Sequence, residues 1–398
     1  MALTLGIFGT GVMGQRHIKG LGRLKQVGRL RYDVAAICDI LPDNANKAVV
    51  LSQELLGTTP QLFESFDAMK RGLSRLDAIL VTTSPAMHAD LGVTAMQAGV
   101  HVMMEKPIAM TVKQGWRLVD AADANNVKLA VAENYRRDPI NRLARALLDA
   151  GVIGKPFLAV QSSSGSGESV IITPWRHLRK SCGISIDMGV HYTDMLEYFM
   201  GPIESVVGMG AVIDKQRVGS DGKLYPADAE DLTAGTIRFQ SGAIGNWLLN
   251  MAGRGEGHFS RMIYGTAGSL SIPGDRSGRP LHLVQRVNGK DVEVPADEVL
   301  KLVPDFKLEP TTAALFGGDR LASYDLPWTD IDAGLLAIEH DDFVSAILEN
   351  RQPEVSGEGG LRDLALMFGF IESEMAGRIL NVEELMSGAV SAYQAELE

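Results

Sequence analysis

The sequence predicts an α/β domain with a doubly wound parallel sheet over residues 1–133. An α+β domain with a large, mostly antiparallel sheet should follow over residues 134–398. Three observations predict this. Strand-like and helix-like segments alternate through the first 133 residues, which implies right-handed βαβ crossovers. Strands there are unbroken apolar runs such as Val34-Ala35-Ala36-Ile37, as parallel strands buried on both faces require. After residue 134 the strand candidates follow one another with few helices between them, the pattern of antiparallel pairing.

In order, the first domain reads strand Leu3–Gly9, helix Val12–Leu24, strand Asp33–Asp39, helix Asp43–Leu56, strand Leu76–Thr83, helix Met87–Ala98, strand His101–Glu105, helix Val112–Ala124 and strand Lys128–Glu133. The second opens on a helix, Ile140–Ala150, and continues with strands Phe157–Ser162, Ile203–Ile213, Leu232–Phe239, Ala243–Met251, Arg261–Tyr264 and Leu281–Gln285. Gln240-Ser241-Gly242 is a hairpin turn between two of these. Helices are expected at Ser185–Phe199, Ala333–Leu348 and Gly360–Ala376, and loops at 214–230 and 286–330.

Composition excludes several classes. A chain of 398 residues with 45% apolar and 22% charged residues is globular rather than disordered. Two cysteines, Cys38 and Cys182, are too few for a disulfide scaffold or a four-cysteine zinc site. The net charge of −11 argues against a nucleic-acid groove or an anionic membrane surface as partner. No apolar run reaches the ~18 residues of a membrane span. The chain enters its first strand directly after Met1-Ala2, so no secretory signal is expected and the cytoplasm is the default location.

Three motifs carry chemistry. Gly9-Thr10-Gly11-Val12-Met13-Gly14 is G-x-G-x-x-G between a strand and a helix, the dinucleotide-binding fingerprint of a Rossmann domain. Its glycines permit a tight turn and close backbone approach, and the helix N-terminus faces a pyrophosphate. Asp39 ends the second strand, where a carboxylate accepts from a ribose 2′-hydroxyl and repels a 2′-phosphate; NAD is expected in preference to NADP. Glu105-Lys106-Pro107 ends a later strand at the sheet edge where ligands sit, and Lys106 there can hold a substrate hydroxyl. Asp187, His191 and Asp194 fall on one helical face at offsets 0, 4 and 7. An aspartate one turn from a histidine orients the ring and raises its basicity, which makes His191 a candidate general base. Zinc is the rival reading of this face, but no third ligand is evident, and no metal is expected.

Together these stretches resemble the glucose–fructose oxidoreductase/inositol dehydrogenase (Gfo/Idh/MocA) family over nearly the whole chain. The matching stretches are Leu5–His17, Ala36–Asp39, Pro85–His88, Glu105–Pro107, Asn134–Pro139, Gly183–Asp194, Glu230-Asp231, Phe239–Gly242, Gly265–Gly268 and Phe343–Ile347. The resemblance implies an open C-terminal sheet that mediates homodimers or homotetramers. It implies Lys106 as the polarising cation, His191 as general base and Asp187 as its orienter. Glu105 resembles the family residue that fixes the ribose and the lysine, and Thr83, Pro85 and His88 the loop beneath the nicotinamide ribose. Tyr135, Arg136, Trp175, Arg176 and Lys180 are candidate substrate contacts beside His191 and Asp194. One departure is Ser181-Cys182-Gly183, where the family has two or three glycines; a side chain there narrows the pocket.

The function expected is therefore an NAD-dependent dehydrogenase or reductase acting on a secondary hydroxyl or ketone of a sugar, cyclitol or glycoside. The same residues also suit redox-assisted glycoside cleavage with recycled NAD, or a nicotinamide-binding sugar sensor without chemistry.

Overall fold

The computed structural model describes residues 2–398, which divide into two compact units. The first begins β1 (Leu3–Phe8), α1 (Val12–Gln26), β2 (Tyr32–Cys38), α2 (Pro42–Leu56), β3 (Gln61–Leu62), α3 (Phe66–Gly72), β4 (Ala78–Val81), α4 (His88–Gln97), β5 (His101–Glu105), α5 (Val112–Ala124) and β6 (Leu129–Ala132). Its sheet has the order β3-β2-β1-β4-β5-β6, and every pair is parallel. The order reverses between β1 and β4, so the crevice at their C-terminal ends is the ligand position of a doubly wound sheet. Ala78, Ile79, Leu80 and Val81 of β4 are all fully buried, as a central parallel strand demands.

The second unit contains α6 (Pro139–Asp149), β7 (Pro156–Ser166), α7 (Ile184–Met200), β8 (Ile203–Ala211), β9 (Gln216–Val218), β10 (Leu224–Pro226), β11 (Leu232–Phe239), β12 (Ile244–Gly253), β13 (His258–Gly265), β14 (Gly268–Ile272), β15 (His282–Val287) and β16 (Lys290–Val294). After α8 (Pro310–Phe316), α9 (Trp328–Leu348) and α10 (Gly357–Ala376), it closes with β17 (Leu380–Asn381), α11 (Val382–Met386) and α12 (Ala392–Ala395). Nine strands make its main sheet, β16-β15-β14-β13-β7-β12-β11-β8-β17, antiparallel except for β12 beside β7. One face is covered within the unit: Trp247 of β12 stacks on Phe370 of α10 at 4.9 Å. Gly208 and Gly235 leave room there, since a Cβ on either would meet the Phe370 ring. On the other face, Ile244, Leu158 and Tyr264 lie in one cross-strand row, with Ile244 and Tyr264 exposed.

Two expectations need correction. Residues 134–398 do not form one continuous domain: 309–319 and 326–361 belong to the first unit. The reason is α9, which lies against α1. A Cβ on Gly20 would come within 3.1 Å of Ala337 N and Leu336 Cβ, and Arg16 Nε donates to Asp332 at 2.7 Å. A helix sequence shows which face is apolar but not which partner it meets. The loops expected at 214–230 and 286–330 hold β9, β10, β16 and α8. These are short, and β16 (Lys290-Asp291-Val292-Glu293-Val294) is the charged edge strand that blunts the sheet. β3, β14 and α3 lie outside the expected elements; the start of α3 is fixed by Ser65 Oγ accepting the Ala68 N–H at 3.2 Å.

Candidate active site

The phosphate end of the first unit is built by its glycines. Gly9 has φ +82°, and a Cβ on it would meet Thr82 O at 2.8 Å; one on Gly14 would meet Gly9 O at 2.2 Å. Gly11 is the N-cap of α1, with no side-chain cap and no acidic residue in the first turn. The helix therefore offers its first N–H groups and its positive end to an anion. Space at Gly11 is open, the nearest atom to a built Cβ being Asn44 Nδ2 at 3.9 Å. Such a cradle fits the pyrophosphate of a dinucleotide. Asp39 is half-buried beside it. Its Oδ2 accepts the Thr10 N–H at 2.5 Å and its Oδ1 the Leu41 N–H at 2.8 Å. Asp39 thus holds the glycine turn in place, a task the sequence did not assign to it. Val12 is exposed and Met13 half-exposed at the same turn.

At the end of β5, Glu105 is buried, and its Oε2 accepts the Lys106 main-chain N–H at 3.0 Å. Its Oε1 faces His17 Nε2 at 2.9 Å. Burial pushes the Glu105 carboxyl up, but the His17 hydrogen bond and the charges of His17, Lys106 and Arg16 outweigh it and hold it below the usual carboxylate value. His88 is fully buried, with Nδ1 3.0 Å from Pro107 O and Nε2 3.2 Å from Thr83 O. Burial drives its pKa down against the pull of those carbonyls. Its place is to clamp the Thr83 turn to the Lys106-Pro107 turn, with Pro85 buried beneath. Tyr135 is buried, its N–H held by Glu133 Oε1 at 2.9 Å, and Arg136 is half-buried. Glu339 on α9 is buried with neither carboxyl oxygen hydrogen-bonded, and burial raises its pKa well above the ordinary carboxylate range.

In the second unit α7 carries the other motif. Asp187, His191 and Asp194 are all buried on it. Asp187 lies in the first turn, where the helix dipole favours a carboxylate. Its Oδ2 is hydrogen-bonded to Arg176 Nη1, both side chains being nearly inaccessible. Arg176 also stacks over Trp175, 4.9 Å from the ring centroid, and its buried Nε has no partner. The structure so brings together Trp175, Arg176 and Asp187. Lys180 is exposed, and Arg179 beside it stacks on Tyr393 at 4.3 Å and pairs with Glu396 at 3.0 Å. Cys182 and Gly183 both have positive φ, +80° and +78°. Glycine is the natural residue for that backbone, which gives the family's preference a physical cause and leaves Cys182 as the strained exception.

Residues 3–133 match the model of an oxidoreductase family with an NAD-binding Rossmann fold, and residues 141–271 match the GFO/IDH/MocA C-terminal domain. The chain belongs to the Gfo/Idh/MocA oxidoreductase family. Among its relatives is the myo-inositol 2-dehydrogenase of Thermotoga maritima, 24% identical over 387 residues, covering 96% of this chain and 100% of that protein. The levoglucosan dehydrogenase of Pseudarthrobacter phenanthrenivorans is 27% identical over 208 residues, but the match spans only 48% of this chain and 53% of that protein. Two solved structures share the fold. An NAD-binding oxidoreductase from Klebsiella pneumoniae aligns with TM-score 0.79 at 22% identity, covering 96% of this chain and 99% of that one. A levoglucosan dehydrogenase in complex with NADH aligns with TM-score 0.75 at 20% identity, covering 96% and 99%. No helix among the described residues is long and apolar enough to cross a membrane, and none of their His, Cys, Asp and Glu side chains cluster as a metal site.

Proposed function

We propose that this protein is an NAD-dependent dehydrogenase or reductase for a secondary hydroxyl or ketone of a neutral sugar, cyclitol or glycoside. The observation that carries this reading is the buried Arg176–Asp187 pair beside His191 on α7, in a chain that keeps the glycine cradle and Lys106 of the family. NAD, when bound, takes up or gives the hydride. Gly9, Gly11 and Gly14 would receive its pyrophosphate, and Asp39 its adenosine ribose, in preference to the phosphorylated ribose of NADP. Lys106 favours alkoxide character at the substrate oxygen. His191 takes the hydroxyl proton in oxidation and returns it in reduction. Because Asp187 already neutralises Arg176, that arginine stacks on Trp175 as a wall for a polyol rather than as an anion receptor. The named relatives, acting on inositol and levoglucosan, support a polyol substrate.

The test is a panel of myo-inositol, levoglucosan, D-apiose and 1,5-anhydro-D-fructose, followed at the NADH absorbance band with NAD(H) and then NADP(H). Turnover with NAD(H) is expected, and His191→Ala should lower it by about 10²–10⁴-fold, the usual weight of general acid–base help. Full rate in both Lys106→Ala and His191→Ala would refute the assigned roles.

The face of the nine-stranded sheet carrying Ile244, Leu158 and Tyr264 is proposed as the seat of a second copy in a homodimer or homotetramer. Light scattering of Ile244→Lys should give a smaller particle than the parent; an unchanged mass places the interface elsewhere.

A further inference from the structure

Behind Lys106 lies a hydrogen-bonded chain that the proposed chemistry does not use, all of it inside the first unit. Glu105 Oε1 meets His17 Nε2 at 2.9 Å, and His17 Nδ1 meets His340 Nε2 at 3.1 Å. His17 and His340 are fully buried, and Glu105 is 5% exposed. The two imidazoles cross edge to face at 5.1 Å, and Tyr32 closes the stack 5.7 Å beyond. His340 Nδ1 has no partner, so the chain ends inside the protein and is no conduit to solvent. With Glu105 ionised, His17 Nε2–H donates to it. Between His17 Nδ1 and His340 Nε2 one ring donates and the other accepts, which satisfies every group but the last ring nitrogen. That arrangement fixes the carboxylate by one oxygen and leaves the other for the Lys106 main-chain N–H, 3.0 Å away.

We propose that His17 is a positioning residue for Lys106: it locks the Glu105 carboxylate that holds the Lys106 N–H, and through His340 it ties that turn to α9. The proposal rests on the reading of Lys106 as a catalytic residue. Apolar packing alone does not require it, since a leucine at 17 and a phenylalanine at 340 fill similar volumes. A carboxylate with one oxygen unheld would swing or take up a proton, and the Lys106 turn would lose its fixed acceptor.

Two measurements on the full chain test this. Amide hydrogen exchange of the ligand-free protein reads the Lys106 N–H directly. In His17→Leu it should exchange about tenfold faster or more, while Leu21 and Leu24 of α1 keep their protection; His17→Gln, which retains a donor for Glu105, should restore it. Unchanged exchange at Lys106, or equal loosening along α1, would overturn the proposal. The second is a double-mutant cycle with Lys106→Met on the panel compound turned over fastest. His17→Leu should lower kcat about 10–100-fold with little change in KM, and should add nothing to Lys106→Met. Multiplying effects would overturn the proposal. If Lys106→Met keeps the parental rate, the catalytic reading of Lys106 fails while the exchange result still decides the hydrogen-bonded link. Should His17→Leu not fold, His340→Phe keeps a ring against Tyr32 and reads the outer half of the chain.

Discussion

Arg176 and Asp187 form an ion pair in which the arginine side chain is 8% exposed and the aspartate 4%. The pair joins the turn at Pro174–His177 to the first turn of α7. Within it the charge of the guanidinium is matched by a carboxylate.

Removing one partner of such a pair strands the other, at a cost of about 3–5 kcal/mol. Arg176→Met should therefore lower the urea-unfolding free energy by about that much, and Arg176→Met/Asp187→Leu should recover part of it. A single variant within about 0.5 kcal/mol of the parent would show that the pair carries no such weight.

His177 sets an acid limit. Its Nε2 accepts the Ile171 N–H at 2.9 Å, and its Nδ1 is buried without a partner. Burial, with the charge of Arg217, lowers its pKa from 6.5 to about 4. The unfolded chain then binds a proton that the folded one refuses between those values. The stability His177 contributes is fully present above pH 6.5 and drains away as pH falls towards 4. The expected loss is about 1–3 kcal/mol, the lower figure allowing for solvent screening of the neighbouring charges. Denaturation curves from pH 7 to 4 should be flatter for His177→Gln, whose amide oxygen can still accept from Ile171. Equal slopes in the two proteins would place the acid sensitivity on other groups.

The glycine turn separates folding from binding. Alanine at Gly14 collides with Gly9 O at 2.2 Å, a main-chain atom, and should cost about 1–3 kcal/mol of stability. Alanine at Gly11 meets nothing closer than 3.9 Å. It should leave the melting temperature in place yet weaken NADH by about tenfold, or ~1.4 kcal/mol, by putting a methyl where phosphate oxygens approach. Fluorescence titration with NADH and a thermal melt read both. Parental NADH affinity in Gly11→Ala would remove the cradle from the proposed role.

Much of this architecture was legible because its signals are local. Apolar runs fixed the parallel strands, the G-x-G-x-x-G spacing fixed the turn before α1, and offsets of four and seven put Asp187, His191 and Asp194 on one face. What stayed hidden depends on partners far apart in the chain. Nothing near His17 announces Glu105 or His340, and nothing near Asp187 marks Arg176 as its counter-ion. The motif around His88 likewise does not reveal that its ring nitrogens face the Pro107 and Thr83 carbonyls. Weakly apolar segments such as β9, β10 and β16 escaped because edge strands carry the polar residues that loops also carry.

The α1–α9 contact also has a consequence for synthesis. Arg16 and Asp332, which meet across it, are 316 positions apart. As the chain leaves the ribosome, the α1 surface around Gly20 waits for nearly the whole polypeptide before its cover arrives. The dinucleotide domain is thus the first to be started and among the last to be finished. A fragment stopped at Arg137 lacks that cover and should bind the hydrophobic dye ANS, whereas the full chain should not.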